Sequence, residues 1–490
     1  MSYLLKHWGW VLWSAGVAVA DPPSFTWHYP AGGQQGQTIG VSMDYKADLE
    51  SLRVWSESEY LQVTKPSKKG EPFVVSIAAE APAGASWIRL IDAQGVSQAR
   101  QFVIGNSTER QEKEPNGSHV DYDLVTEASP ITINGKLDKR GDVDAFAWDL
   151  ETRQWLVIDV DANVLDSPID PMLRMVDVNG NQLAFNHDSD DGGLDPELAF
   201  QAPAKGRYVL LLSGFEYPPK ADSRFAGGER VIYRLHASHE LKRHDMSAYF
   251  DQEPNQSFES ALSLSDGQSL GGTLSEPGDE DWYRFIPPEK DHTYQVLVDA
   301  QALGSKIDGW LEIRDGDGKV LMSSDDSGRH TSPDPVVIWK SPNRDPHFVV
   351  VRDIRRHGGQ RFHYQLSINQ AKPNADLTVS QDRWTISQGA SVEIKVAVAR
   401  AHGHDLPITI QTSGLPDGLT CESVTVAPDK KEALLTIKAS EDAALQSRPL
   451  VLRTDHQSVR HDYKGTAADA GALFLNKINT LWLTVLGKAD

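Results

Sequence analysis

Glu112, Glu114 and Asn116 occupy alternate positions of the stretch QEKEPNGS, and Asp142 and Asp144 do the same in RGDVDAFAW. Alternate side chains of an extended chain point the same way, so each stretch can turn a row of oxygen ligands to one side. If folding brings the rows together, carboxylates and an amide converge. Two carboxylates about 4 Å apart repel by roughly 4 kcal/mol at an effective dielectric near 20, and a cation between them removes that cost. Hard oxygen donors without His or Cys suit calcium, which accepts about six to eight oxygens in loose geometry. The alternative is that Glu-Pro-Asn is a turn and that Asp142 and Asp144 flank a solvated hairpin.

The same words recur. Glu253-Pro254-Asn255 is followed by Gly278-Asp279-Glu280-Asp281, and the spacing from Glu253 to Asp279 is 26 residues against 28 from Glu114 to Asp142. Two linked motifs at nearly equal spacing indicate an internal repeat. The match extends further: SPIDPMLRMVDVNGN aligns with SKIDGWLEIRDGDGK, with Asp170 and Asp308 138 apart, Asp177 and Asp315 also 138, and Asp195 and Asp334 139. RYVLLLSG then pairs with HFVVVRD, and VIYRLHAS with RFHYQLSI.

The elements that must carry these residues are strands. QWLVIDVDA, TYQVLVDA and VEIKVAVA are short, β-branched runs bounded by turn residues, and no segment sustains an apolar period of 3.6. DVNGN and DGDGK read as hairpin turns. The predicted fold is all-β, a string of four β-sandwich domains. It comprises an immunoglobulin-like sandwich over 21–105, jelly-roll-like repeats over 109–238 and 250–369 with a linker over 239–249, and an immunoglobulin-like sandwich over 374–490.

Composition narrows the function. A formal charge of −21, from 48 basic and 69 acidic residues, opposes binding to a phosphate backbone, so no nucleic-acid partner is expected. The start of the chain, an apolar run from Trp8 to Val19 closing in Ala18-Val19-Ala20, reads as a signal peptide over 1–20, with no transmembrane segment after it. Cys421 is alone, so export proceeds without disulfides, as in a bacterial periplasmic, cell-surface or extracellular protein. Other candidates read as structure: Cys421 as a packed side chain, His402 and His404 as loop residues, and the Asp-rich turn after Asn186 as solvated. In that turn Ala199 stands where an EF-hand needs Glu. The nucleophile elbow, His-Glu-x-x-His, phosphate-binding loop and dinucleotide fingerprint are all missing, and four sandwiches account for the length, so no enzyme is expected.

Taken together, Glu114-Pro115-Asn116, Gly141-Asp142-Val143-Asp144 before Phe146, Ile169-Asp170-Pro171, Asp177 to Gly180 and Gly206-Arg207-Tyr208 resemble the bacterial pre-peptidase C-terminal domain family. The second copy departs from the pattern at Gly309 and at Pro346-His347-Phe348. The flanks, through YPAGGQQGQT and SGLPDGL, more distantly resemble immunoglobulin-like units of planctomycete-type exported proteins. The resemblance implies small non-catalytic sandwiches appended to secreted proteases and other exported proteins. Related collagen-binding domains of clostridial collagenases bind calcium through a Glu-x-Glu-x-Asn segment and aspartates. The matching positions are Glu112, Glu114, Asn116, Asp142 and Asp144 in the first copy, and Asp251, Glu253, Asn255, Asp279 and Asp281 in the second. Where the collagenase segment has an acidic residue after its Asn, this chain has Gly117 or Gln256.

The expected function is a calcium-stabilised binding module for an extracellular protein or polysaccharide, with Trp282, Trp310 and Tyr217 as aromatic candidates for contact. The alternatives are a structural spacer or an accessory partner of a secreted protease; a glycoside hydrolase, which needs only two carboxylates, ranks below them.

Overall fold

Alternation of apolar and polar residues organises the regular structure of the molecule almost entirely into strands. The computed structural model describes residues 21–188, 194–221, 224–239, 251–300, 303, 305–326, 334–463 and 477–488. The signal-peptide reading, most of the linker and the middle of the Asp-rich turn lie outside these residues. The described strands form paired sheets in four successive β-sandwiches, and no sheet mixes strands from two of them. Among the described residues no helix is long and apolar enough to cross a membrane.

The first sandwich uses strands from Ser24–Tyr29 to Arg100–Gly105 and closes over Phe25, Val41, Phe73, Leu90 and Phe102. The last runs from Asn374–Val379 to Leu481–Leu486, around Leu377, Ile394, Leu435 and Leu483. In this last unit Cys421 is half-buried against the core. His402 and His404 turn to different partners, the Lys372 carbonyl and Arg400, and form no shared site.

Apart from Thr108–Gln111, which adds an edge strand to the first repeat, the described strands of the two repeats match one for one. In the first, one sheet orders Ile131–Lys136, Ile232–Ser238, Trp155–Asp161 and Glu197–Gln201; in the second, Gln268–Thr273, His363–Gln370, Thr293–Asp299 and Val336–Lys340 take the same order. The facing sheets are likewise equivalent, with Asp144–Leu150, Gly206–Glu216 and Ile169–Asp177 answered by Glu280–Phe285, His347–Asp353 and Gly309–Arg314. Even the hairpin turns agree. Asp177 Oδ1 accepts from the backbone N–H groups of Asn179 and Asn181 at 2.8 and 2.9 Å, and Asp315 Oδ1 from those of Asp317 and Lys319, both at 3.0 Å. Gly180 and Gly318, at φ +83° and +80°, supply the left-handed residue each turn requires.

The first and last sandwiches also touch. Arg89, whose side chain is fully buried, pairs with Asp382 at 2.5 Å and donates to the Ser97 carbonyl at 3.0 Å. The Trp55 and Trp482 rings meet edge to face at 5.3 Å, and Trp87 Nε1 donates to the Lys477 carbonyl at 3.1 Å. Arg100 and Tyr463 both bind Asp166, which ties the first, second and fourth sandwiches at one point. The second and third meet where Lys306 and Arg361 converge on Glu197.

Candidate metal centre

At the start of each repeat a loop lays its acidic residues beside the first long strand of one sheet. In the first repeat the backbone carbonyl of Asn116 accepts from Ala145 N–H at 2.6 Å, and in the second Asn255 accepts from Trp282 N–H at 2.8 Å. These bonds bring the two acidic stretches together. One carboxylate oxygen from each of Glu112, Glu114 and Asp144 lies within 4.8 Å of the others, and Asp251, Glu253 and Asp281 repeat the arrangement within the same limit. Asp144 and Asp281 are both fully buried rather than solvated, whereas Glu114 and Glu253 are exposed.

Asp142 and Asp279 have a different part. Asp279 is buried, and its oxygens are occupied by Ser275 N–H at 2.6 Å, Ser275 Oγ at 3.0 Å and Glu280 N–H at 3.0 Å. Asp142 accepts from Lys139 N–H at 3.3 Å. They close the turn before the strand and act on the cluster through charge. Asp142 helps to raise the pKa of Glu114, and Asp279 those of Glu253, Asp251 and Asp281.

Two residues that sequence reasoning passed over complete the centre. Tyr233 Oη lies 2.6 Å from Asp144 Oδ2 and 3.0 Å from Glu112 Oε2. Tyr364 Oη lies 2.5 Å from Asp281 Oδ2 and receives the Tyr283 hydroxyl at 2.6 Å. Each tyrosine crosses a glycine on the neighbouring strand: Gly135 pairs with Tyr233 and Gly272 with Tyr364. A Cβ on Gly135 would stand 2.0 Å from the Tyr233 ring, and one on Gly272 2.3 Å from Tyr364. The signal was present in the aligned repeats, where VIYRLHAS and FHYQLSIN put Tyr over Tyr and INGK and LGGT put Gly over Gly.

The electrostatics are those of a site short of positive charge. Burial raises the pKa of Asp144, and the Glu112 carboxylate raises it further; Glu112 is raised by burial in turn. Asp281 rises through burial and then the charge of Asp251, and Asp251 itself rises through burial. A phenol has one proton to give, yet Tyr233 Oη contacts two carboxylates, so one of the pair needs a proton or a cation. Asp144 Oδ1 is buried with no hydrogen-bond partner. Asn116 and Asn255 are buried beside the clusters, at 1% and 0% exposure. With nitrogen toward the carboxylates, Asn116 donates to Glu114 and Asn255 to Asp281, each at 2.9 Å, so the amides are satisfied within the protein. An all-oxygen set with a partnerless buried carboxylate oxygen fits calcium.

The aromatic candidates divide. Trp282 is buried under Arg314 and beside Phe348, whereas Trp310 is half-buried and donates Nε1–H to Glu312 at 2.8 Å. Tyr217 lines a cavity of about 680 Å³ with Phe215 and Phe225.

No protein-family model and no curated protein matches the chain. Among solved structures, the N-terminal four Ig domains of Dscam1 isoform 8.4 align over 95% of this chain and 100% of that one, at 8% identity and a TM-score of 0.23. A putative secreted protein from Eubacterium rectale aligns over 42% and 81%, at 10% identity and a TM-score of 0.19. Tripeptidyl peptidase 2 aligns over 94% and 39%, at 10% identity and a TM-score of 0.15. Likenesses this loose carry no argument about function.

Proposed function

We propose that the chain is a non-catalytic, exported bacterial protein whose tandem repeats are calcium-stabilised and which serves as a binding module for protein or polysaccharide at the cell surface or in the matrix. The observation that supports the metal reading is the duplicated cluster, in which three carboxylates converge in each repeat and Asp144 Oδ1 is buried without a partner. Glu112, Glu114, Asn116 and Asp144 would hold one ion, and Asp251, Glu253, Asn255 and Asp281 the other. Bound calcium supplies charge neutralisation rather than chemistry: it holds the entry loop of each repeat against its sheet. Extracellular sites of this kind work at dissociation constants on the order of 0.1 to 1 mM.

The test is a calcium titration of chelator-treated protein by calorimetry, with Asp144→Ala and Asp281→Ala as variants. Two binding events, one lost with each variant, would support the reading; an unchanged titration in both would sink it. A second reading, a structural spacer or accessory partner of a secreted protease, draws on the contacts of Arg89, Trp55 and Trp87 with the last sandwich. Solution scattering of a contact variant beside a ligand screen would separate a spacer from a binder.

A further inference from the structure

The two repeats keep their inner faces and diverge sharply on one outer face. Inward, Leu173 and Leu212 pair across strands as Leu311 and Val351 do, all fully buried. Outward, the registers that align these residues also set Ala145, Met172, Val176 and Ser213 of the first repeat against Trp282, Trp310, Arg314 and Arg352 of the second. In the first repeat this face is aliphatic and packs under Tyr122 and Leu124. In the second it is a lattice of tryptophan and arginine.

That lattice is built to hold guanidinium groups still. Arg314 lies over the Trp282 ring and Arg352 over the Trp310 ring, each at 4.8 Å from the centroid. Buried Glu312 accepts from Trp310 Nε1 at 2.8 Å and from Arg314 Nε at 2.7 Å, which fixes one ring and one fork together. A guanidinium stacked on an aromatic face keeps its in-plane N–H donors for a bidentate partner. Arg352 uses few of them: its ion pair is a 3.9 Å contact with Glu312, an oxygen it shares with Trp310. Arg284, exposed one strand away, adds a further guanidinium to the same face. Burial and the Arg356 charge lower the pKa of Arg352 while Glu312 and Glu280 raise it; with Arg284, Arg314, Arg352 and Arg356 against these two carboxylates, this face is net positive on a chain of net charge −21.

We propose that this outer face of the second repeat binds an acidic polysaccharide, through its carboxylate or sulfate groups, with Arg352, Arg314 and Arg284 as the recognising residues. The inference rests on the reading of the chain as a binding module and not on calcium. Charge complementarity selects the ligand. Neutral sugars stack on bare aromatic rings, and here guanidinium groups cover them. An acidic peptide docking by strand addition needs an open sheet edge, whereas these arginines stand on a face. Nucleic acid would meet the repulsion of the whole acidic molecule.

The experiment uses the full chain after export processing, in calcium, against immobilised polygalacturonate and heparin, with dextran, poly-glutamate and duplex DNA in parallel. The expected result is retention on one or both acidic glycans, weakened by salt, with none on dextran. Arg284→Ala/Arg352→Ala should cut that affinity by about tenfold or more, as expected for arginines that anchor an interface. Arg284 is exposed, so Arg284→Ala alone should melt like the parent and still lose affinity; Arg352→Ala also removes a cation stacked on Trp310, so its melt is read beside its affinity, and Arg352→Lys, which keeps charge but not the fork, should recover little. No retention on either glycan would overturn the proposal, as would equal binding to poly-glutamate or DNA, or an unchanged affinity in the double variant. The calcium dependence of the melt, followed on the same samples, tests the metal reading separately.

Discussion

Replacing Asp144 by Asn separates a metal ligand from a merely structural carboxylate, because the two roles predict opposite signs in chelator. The carboxylate oxygens of Glu112, Glu114 and Asp144 lie within 4.8 Å of one another. One such pair costs roughly 3.5 kcal/mol at that distance and an effective dielectric near 20. Asp144→Asn removes the charge nearest the centre but weakens the hydrogen bond from Tyr233, so metal-free protein at pH 8 should gain about 2 kcal/mol. For a repeat of this size that is roughly 6 to 10 °C on its own transition. The gain depends on pH. Burial holds the folded pKa values of Asp144 and Glu112 above their unfolded values, so the native state keeps its protons longer. The stability tied to those protons is complete below about pH 4 and is lost as pH rises through the raised values. The advantage of the variant should therefore be small at pH 5 and open toward pH 8. Calcium should close the gap: in 5 mM calcium a site with a dissociation constant of about 0.1 to 1 mM adds roughly 1 to 2 kcal/mol to the parent and nothing to the variant. Differential scanning calorimetry at both pH values, in chelator and in calcium, reads all four numbers. A variant less stable than the parent in chelator at pH 8, with its calcium increment intact, would refute the reasoning.

Gly135→Ala and Gly272→Ala should each destabilise their own repeat by about 3 kcal/mol or more, since the added carbon meets a tyrosine ring at 2.0 or 2.3 Å, and each should abolish one calcium event in titration calorimetry. Asp382→Ala leaves the buried Arg89 guanidinium without its ion pair; we expect about 2 to 4 kcal/mol of destabilisation by denaturant titration and a larger radius by solution scattering as the first and last sandwiches part. His28 is buried with Nε2 unpartnered, and burial followed by the Arg100 charge lowers its pKa to about 4. The unfolded chain therefore takes up a proton that the folded one refuses, and stability falls by up to about 3 kcal/mol between pH 6.5 and 4; His28→Leu should flatten that acid limb in a pH series of melts.

Much of this was legible in the residues before any coordinates. Alternation in runs such as QWLVIDVDA specifies strands because a half-buried sheet sorts side chains with a period of two. The constant offset from Asp170 to Asp308 and from Asp177 to Asp315 marks the duplication, and the matched hairpin bonds at Asp177 and Asp315 are its local consequence. The acidic residues of the cluster were readable as types but not as geometry, because Glu112, Glu114 and Asn116 sit in a loop that follows the strand Thr108–Gln111 and not in a strand of their own. What escaped were contacts between distant segments. Tyr233 reaches Asp144 across 89 residues, and Trp87 reaches Lys477 across 390; nothing local in either partner announces the other. Asp142 and Asp279 misled for a related reason: a carboxylate two residues before a buried one has the right spacing for a ligand, but the turn at Lys139 or Ser275 offers it nearer donors.

The duplication itself allows one further step. Two copies that began alike are each other's control, so a column that stays constant reports what the fold or the cluster needs, and a column that changes reports a need of one copy alone. By that measure the acidic cluster, its tyrosine and its glycine belong to the architecture of the repeat. Arg352 and Trp310 do not: the first repeat folds around the same inner residues with Ser213 and Met172 in their places. Burying Glu312 and crowding arginines beside it is costly in a fold that does without both, and such a cost is retained where a charged partner offsets it.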